Sequence, residues 1–215
     1  MAPSKAIPVA ALLVMLGVGA VIGAEPSPTV NQANPDWPCI QHKVATLTSA
    51  QMWDGPPVDD VKGWQDNEEI GKLIGTLSSR RVPMGEAAAA IEAYAAAQPQ
   101  DKRDQALKLL FAGLLSSVNS DRAVVMRGIE RFQKRQKARA AEIERQGEAI
   151  RQLREKAAAD ATARIELAAA EDRYNWDVRV FTERQQALPL ACEIPVLIEQ
   201  RLFELAREIR QRMHD

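Results

Sequence analysis

A long stretch without proline constrains the fold of this chain most strongly. Between Arg122 and Ala187 the sequence contains no proline and two glycines, Gly128 and Gly147, and it is rich in arginine, glutamate, glutamine and alanine. These residue types favour the helix, whereas proline breaks a helix from within. One helix over the whole stretch would be about 100 Å long. The sequence therefore predicts either one helical rod or two long helices folded against each other.

The spacing of apolar residues favours the folded-back arrangement. A first apolar stripe contains Val125, Ile129, Phe132, Ile143, Ile150 and Leu153, and a second contains Ile165, Ala169, Trp176 and Val180. If the chain turns within 158–162, Leu153 is expected to face Ile165 and Ile143 to face Trp176, because both helices rise equally per residue. We expect an antiparallel, coiled-coil-like hairpin over 120–188, with the continuous rod as the alternative.

Polar residues interrupt these stripes, at Gln136, Arg139, Gln146 and Asp172. Because an isolated helical pair with so few apolar contacts gains little from burial, we expect the hairpin to bind a protein partner or to lean on other helices. The candidate partner-binding residues are Ile143, Ile150, Leu153, Ile165 and Trp176. The opposing interpretation is that opposite charges three or four residues apart simply keep a long helix in solution.

Shorter segments flank the predicted hairpin. Residues 25–65 are rich in proline and tryptophan and are expected to be irregular, except for a short helix at 49–53 that begins with a capping box. Residues 66–119 predict a bundle of short helices, over 67–79, 84–97 and 101–118, which ends at Asn119. After Pro189, residues 189–215 predict a separate C-terminal helix packed at the base of the hairpin. The predicted fold class is all-α.

Residues 1–24 have the composition of a secretory signal peptide. Lys5 supplies positive charge, residues 7–22 are almost entirely apolar, and small residues end the segment at Ala24. Cleavage there predicts an exported protein, periplasmic or secreted. A retained membrane anchor is the alternative, but the apolar segment is shorter than the roughly 20 residues that cross a bilayer. We therefore expect no stable membrane span after cleavage.

The two cysteines, Cys39 and Cys192, are consistent with export. An oxidising compartment favours pairing of an even number of cysteines, and these two allow one internal bridge. Two buried thiols or an intermolecular bridge are the alternatives. We expect the internal disulfide, which would tie the N-terminal segment to the base of the hairpin.

Composition and motifs argue against several activities. Lysine and arginine number 28 against 29 aspartates and glutamates, so no positive excess favours nucleic acid. His42 and His214 are the only histidines and supply too few ligands for a catalytic zinc site. The sequence contains neither a nucleophile elbow nor a phosphate-binding loop. We assign no catalytic residue, no metal and no cofactor.

An acidic, tryptophan-rich stretch is the one candidate ligand site. It contains Trp37, Trp53, Asp54, Asp59, Asp60 and Trp64. Carboxylates beside aromatic rings can hold a sugar or a cation, although such clusters are more often solvated loops.

The sequence as a whole favours an exported, non-enzymatic interaction protein of the cell envelope: a scaffold, adaptor or chaperone-like protein. A ligand-binding or cation-binding module is the alternative, and an unrecognised enzyme has less support. In architecture alone, the expected fold is similar to exported coiled-coil hairpin proteins such as periplasmic chaperones. No motif is shared with them, so no residue role carries over.

Overall fold

The computed structural model describes residues 34–214 and has an all-α fold. Its five helices are α1 (Ser49–Met52), α2 (Glu68–Ser78), α3 (Met84–Ala97), α4 (Arg103–Ala157) and α5 (Ala161–Arg210), with a 3₁₀ turn at Trp64–Asp66. No β-strand occurs within this part of the chain. The predicted fold class is confirmed, because α4 and α5 pack against each other as a long hairpin. The predicted signal peptide, residues 1–24, lies outside the described residues.

The hairpin turns where the sequence predicted it. Helix α4 has 55 residues and α5 has 50, and the three residues 158–160 connect them. The Oδ1 of Asp160 accepts a hydrogen bond from the backbone N–H of Thr162 at 2.8 Å, so Asp160 caps the start of α5. The alternative of one continuous rod is therefore wrong.

The predicted helix end at Asn119 is wrong, since α4 continues through that position. The side chain of Asn119 does not cap a new helix. Its Oδ1 accepts from the backbone N–H of Leu47 at 2.8 Å, and its Nδ2 donates to the carbonyl of Leu47 at 2.9 Å. Asn119 thus pairs with both backbone groups of Leu47, which lies in an extended segment distant in the sequence. Sequence spacing could not indicate this contact.

The predicted break at Pro189 is also wrong, because α5 includes both Pro189 and Pro195. A proline inside a helix removes one hydrogen bond and costs about 3 kcal/mol. Tertiary contacts offset this cost, since Cys192 and Pro195 are buried and Leu188 packs at the hairpin base. The C-terminal residues therefore pack at the base as predicted, but as a continuation of α5.

The main core lies where the short helices meet the hairpin base. Its fully buried large side chains are Phe111, Ile70, Leu77, Ile91, Leu107, Leu110, Leu114, Leu202, Leu205 and Ile209. Trp53 stacks on Phe111 with ring centroids 4.3 Å apart. Gly113 lets Trp64 pack closely, because a Cβ there would lie 2.8 Å from the indole ring. Residues from the irregular segment thus complete the core.

Helix α4 alone, among helices of the described region, has the length and hydropathy of a membrane span. Its apolar stretch includes Leu107, Leu110 and Leu114, all fully buried in the bundle. Of this stretch 39% is buried in the structure, and the core helix of a bundle can satisfy the same criterion.

Candidate functional site

An extended segment, residues 34–48, runs along α4 in the opposite direction, and we call it the strap. At one end Lys137 donates to the carbonyl of Pro35 at 2.6 Å, and towards the other end Arg122 donates to the carbonyl of Val44 at 3.3 Å. Arg122 is only 3% exposed, and burial lowers its pKa even though Glu199 lies 3.5 Å away. The strap therefore covers a buried guanidinium as well as helix backbone.

Charged contacts attach the strap to α4. Glu130 accepts from Lys43 at 2.5 Å and from Asn34 at 2.8 Å. The hydrogen bond from Lys43 is the main reason why the pKa of Glu130 is lowered. Burial alone would raise the pKa of Asp36, but hydrogen bonds from lysines on α4 outweigh it and lower that pKa. Both carboxylates are thus held in the charged form.

The two cysteines join the strap to α5, in agreement with the predicted internal bridge. Cys39 and Cys192 form a disulfide with Cα atoms 5.6 Å apart. They belong to a small buried cluster with Trp37, Met126 and Ile129. The indole N–H of Trp37 donates to the carbonyl of Gln41 at 2.7 Å, a contact within the strap. This cluster is a second, smaller core at the hairpin base.

The face of α5 that packs on α4 is not the predicted one. Its least exposed residues, at alternating four- and three-residue spacing, are Ala163, Leu167, Ala170, Tyr174 and Asp177. Ile165 and Trp176 point away from this seam, so their predicted pairing with Leu153 and Ile143 is wrong. Of the α4 candidates, Ile150 is buried, whereas Ile143 and Leu153 are half-buried. On the α5 side the seam contains one large aliphatic residue, Leu167, among small and polar ones, so a search for large apolar side chains selected the outer face.

The middle of the seam is polar. Asp177 is 7% exposed and accepts hydrogen bonds from Arg139 and, at 2.9 Å, from Gln146. Gln136 is also buried, and its Oε1 has no hydrogen-bond partner within the described residues. Buried polar groups contribute less stability than apolar ones of the same size. The sequence prediction of a sparsely apolar hairpin agrees with this arrangement.

Of the five large apolar side chains that lie exposed on α5, all but Phe203 lie on one face, and we call these four the outer stripe. Their exposed fractions are 73% for Ile165, 63% for Trp176, 66% for Leu190 and 45% for Leu197. At 3.6 residues per turn the four positions fall within a sector of about 60°, roughly opposite the seam. Sequence reasoning missed Leu190 and Leu197. A usable signal was present, because the two residues are seven apart and lie 14 and 21 residues after Trp176.

The predicted ligand residues do not converge. Trp37 lies in the disulfide cluster, Trp53 stacks on Phe111, and the indole N–H of Trp53 donates to a backbone carbonyl at 2.8 Å. Trp64 lies next to Gly113 and lines a different groove from Trp53. The three tryptophans therefore do not wall a common pocket, and the ligand site stays a prediction.

Two open grooves contain parts of the predicted ligand set. Trp64 and Asp59 line one of about 520 Å³, and Asp59 also accepts from Ser49 at 2.5 Å. Trp53 and Asp54 line another of about 320 Å³. Asp60 is exposed and lines neither of these grooves. Each groove thus offers one indole and one carboxylate.

The histidines are far apart and do not share ligands. The ring Nδ1 of His214 lies 3.1 Å from Asp104 near the C-terminus, while His42 is in the strap. Burial alone would raise the pKa of Asp104, but hydrogen bonds from His214 outweigh it and lower the pKa. Within residues 34–214, no three side chains of histidine, cysteine, aspartate or glutamate are grouped closely enough to hold a metal ion.

No protein-family model matches the chain, and neither a curated protein nor a solved structure is significantly similar to it. The geometry of the strap, the seam and the outer stripe is therefore the basis for any functional inference.

Proposed function

We propose that this protein is an exported, non-enzymatic interaction protein of the cell envelope, and that the outer stripe of α5 is its contact surface. The observation that carries the proposal is the alignment of Ile165, Trp176, Leu190 and Leu197 on the face of α5 away from α4. Single exposed apolar side chains are common, but several in one line are typical of a surface that binds another protein.

This assignment revises the set of partner-binding residues. Ile165 and Trp176 are available to a partner, whereas Ile150 is covered by α5 and contributes to the hairpin itself. A tryptophan exposed on a rigid helix is well suited to be the anchor of an interface, since it offers a large contact area with few rotatable bonds.

Export is supported by two independent features. The first 24 residues have the pattern of a cleavable signal peptide. The bridge between Cys39 and Cys192 is compatible with an oxidising compartment, where disulfides persist. Periplasmic or secreted localisation is therefore part of the proposal, and N-terminal sequencing of the mature protein is expected to begin at Glu25.

The test is covalent crosslinking in the native envelope, followed by identification of the attached proteins. A double variant, Ile165→Asp with Trp176→Asp, is expected to lose the crosslinked species. Val124→Asp is the matched control, because Val124 is an exposed apolar residue on α4 and not on the outer stripe. Helix content measured by circular dichroism should be equal in all variants, because all three positions are exposed. Undiminished crosslinking of the double variant would refute the contact surface.

A ligand-binding module remains the second candidate, in the groove beside Trp64 and Asp59. It has less support, since the three tryptophans of the predicted site are separated in the fold.

A further inference from the structure

We propose that the partner on the outer stripe is a second copy of this chain, and that the two α5 helices pair antiparallel about a two-fold axis level with Phe181. This inference rests on the proposed function, since it uses the same surface. It is carried by the charge pattern along the stripe, which is complementary to itself in one arrangement.

The stripe has the spacing of a helix-pairing surface over its whole length. Positions separated alternately by four and three residues are 165, 169, 172, 176, 179, 183, 186, 190, 193 and 197, and all ten are exposed. Such alternation keeps one face of a helix directed at a partner helix. The outer face of α5 therefore repeats the spacing that its inner face uses against α4.

The antiparallel arrangement brings complementary residues together. Ile165 lies opposite Leu197 of the second copy, and Arg179 lies opposite Glu183 of the second copy. The two-fold axis repeats each of these pairings, so the interface gains two apolar layers and two pairs of opposite charge. Asp172 lies opposite Leu190 of the second copy, also twice, and this layer costs affinity. Trp176 lies opposite Gln186 of the second copy, where an indole can cover the aliphatic part of the side chain.

The other arrangements that we compared all lose the pairing of Arg179 with Glu183. A parallel pair in register would place Asp172, Arg179 and Glu183 each opposite its own copy. An antiparallel pair shifted by seven residues in one direction would place Asp172 opposite Glu183. The shift in the other direction leaves Arg179 opposite Leu190. That second shift also places Asp172 opposite Leu197, so it sets two charged residues against leucine, whereas the register centred on Phe181 sets only Asp172 against leucine. Like charges facing each other and charges facing leucine both disfavour an arrangement, so the register centred on Phe181 is the most favourable of those compared.

The size of the stripe indicates a weak dimer. From 165 to 197 the helix extends about 50 Å, and a helix about 10 Å wide would bury about 500 Å² per copy. The total of about 1,000 Å² is at the lower limit of specific interfaces. We therefore expect dissociation in the micromolar range, where concentration controls the oligomeric state.

Sedimentation velocity on the mature, disulfide-bonded chain tests this proposal, at concentrations from about 1 µM to about 200 µM. The wild type is expected to dimerise. Arg179→Glu and Glu183→Arg, each alone, should raise the dissociation constant by about tenfold or more, because each places like charges opposite each other twice. The double variant restores the pairing and should dimerise nearly as well as the wild type. Arg135→Glu, an equal charge change on the exposed surface of α4, is the control and should have no effect.

Two results would overturn the proposal: a wild type that stays monomeric at the highest concentration, or a dimer that is insensitive to both single charge reversals. Circular dichroism on each variant separates loss of pairing from loss of folding. A monomeric wild type whose outer stripe still crosslinks to a different envelope protein would refute the dimer and leave the proposed function standing. A monomer without any stripe-dependent crosslink would refute both.

Discussion

Replacing both cysteines by serine, Cys39→Ser with Cys192→Ser, should destabilise the protein strongly. The bridge joins residues 153 apart in the sequence. For a loop of this length, the chain-entropy model assigns about 5 kcal/mol to the cross-link, as an upper value, because the uncrosslinked unfolded chain gains freedom. For a chain of this size, 1 kcal/mol shifts the melting temperature by about 2–4 °C, so the expected decrease is about 10–20 °C.

The arrangement of the strap predicts where the loss appears first. Without the bridge, Cys39 loses its covalent link to α5, and the strap is held only by the packing of Trp37 and by hydrogen bonds at Glu130 and Asn119. The strap can therefore detach while the main core stays folded. If this local detachment costs less than global unfolding, the measured decrease will be at the lower end of the range.

Thermal unfolding followed at 222 nm measures the global effect, and amide hydrogen exchange within residues 34–48 measures the local one. Exchange in the strap should accelerate in the double variant, while exchange in α2 and α3 should change little. A decrease in melting temperature below about 4 °C, with unchanged exchange in the strap, would contradict the reasoning. The prediction assumes that the bridge is formed, so a mass analysis that finds two free thiols in the wild-type protein would contradict it.

Two further predictions concern the seam and the strap. Ile150→Ala should lower the free energy of unfolding by about 2 kcal/mol in denaturant titration, because Ile150 is buried. Ile165→Ala on the outer face is the control and should change it by less than about 0.5 kcal/mol. Equal effects of the two substitutions would contradict the observed register. Acidification should loosen the strap, because the pKa of Glu130 in the folded state is lowered from 4.5. The stabilisation that Glu130 provides is therefore fully present above pH 4.5 and is lost as the pH falls through the lowered pKa. Amide exchange in the strap, taken relative to the unfolded-chain rate at the same pH, should therefore rise below about pH 4.5. Glu130→Gln should reduce that step and leave the part that is due to Asp36. A step of unchanged size in the variant would contradict the role of Glu130.

Local sequence signals predicted most helix bounds well. The predicted helix over 84–97 coincides with α3, and the one over 67–79 differs from α2 by one residue at each end. The capping box before α1 is present, with Thr48 and Gln51 as its members. The turn within 158–162 was also predicted. Caps and periodic apolar residues act within one or two helical turns, so they can be recognised without knowledge of the fold.

Predictions that depended on distant contacts were less accurate. Asn119 and Pro189 carry local signals for a helix end, yet both lie inside long helices. In each case a distant contact determines the outcome. Leu47 of the strap bonds to Asn119, and residues next to Pro189, among them Leu188 and Cys192, pack in the disulfide cluster. The free energy of such contacts exceeds a local preference of a few kcal/mol, and nothing in the local sequence reveals them.

The sequence by itself determined that the chain is all-α, that it contains two long helices with a turn between them, and that one internal disulfide is possible. It could do so because helix propensity, apolar periodicity and cysteine number are properties of the chain alone. Only the tertiary structure decided which face of each long helix is buried. In the half of α5 nearest the turn, the buried residues are Ala163 and Asp177, one small and one polar, whereas the larger Ile165 and Trp176 are exposed. Two helices can approach closely only where side chains are small or paired across the seam, and that condition depends on both helices together.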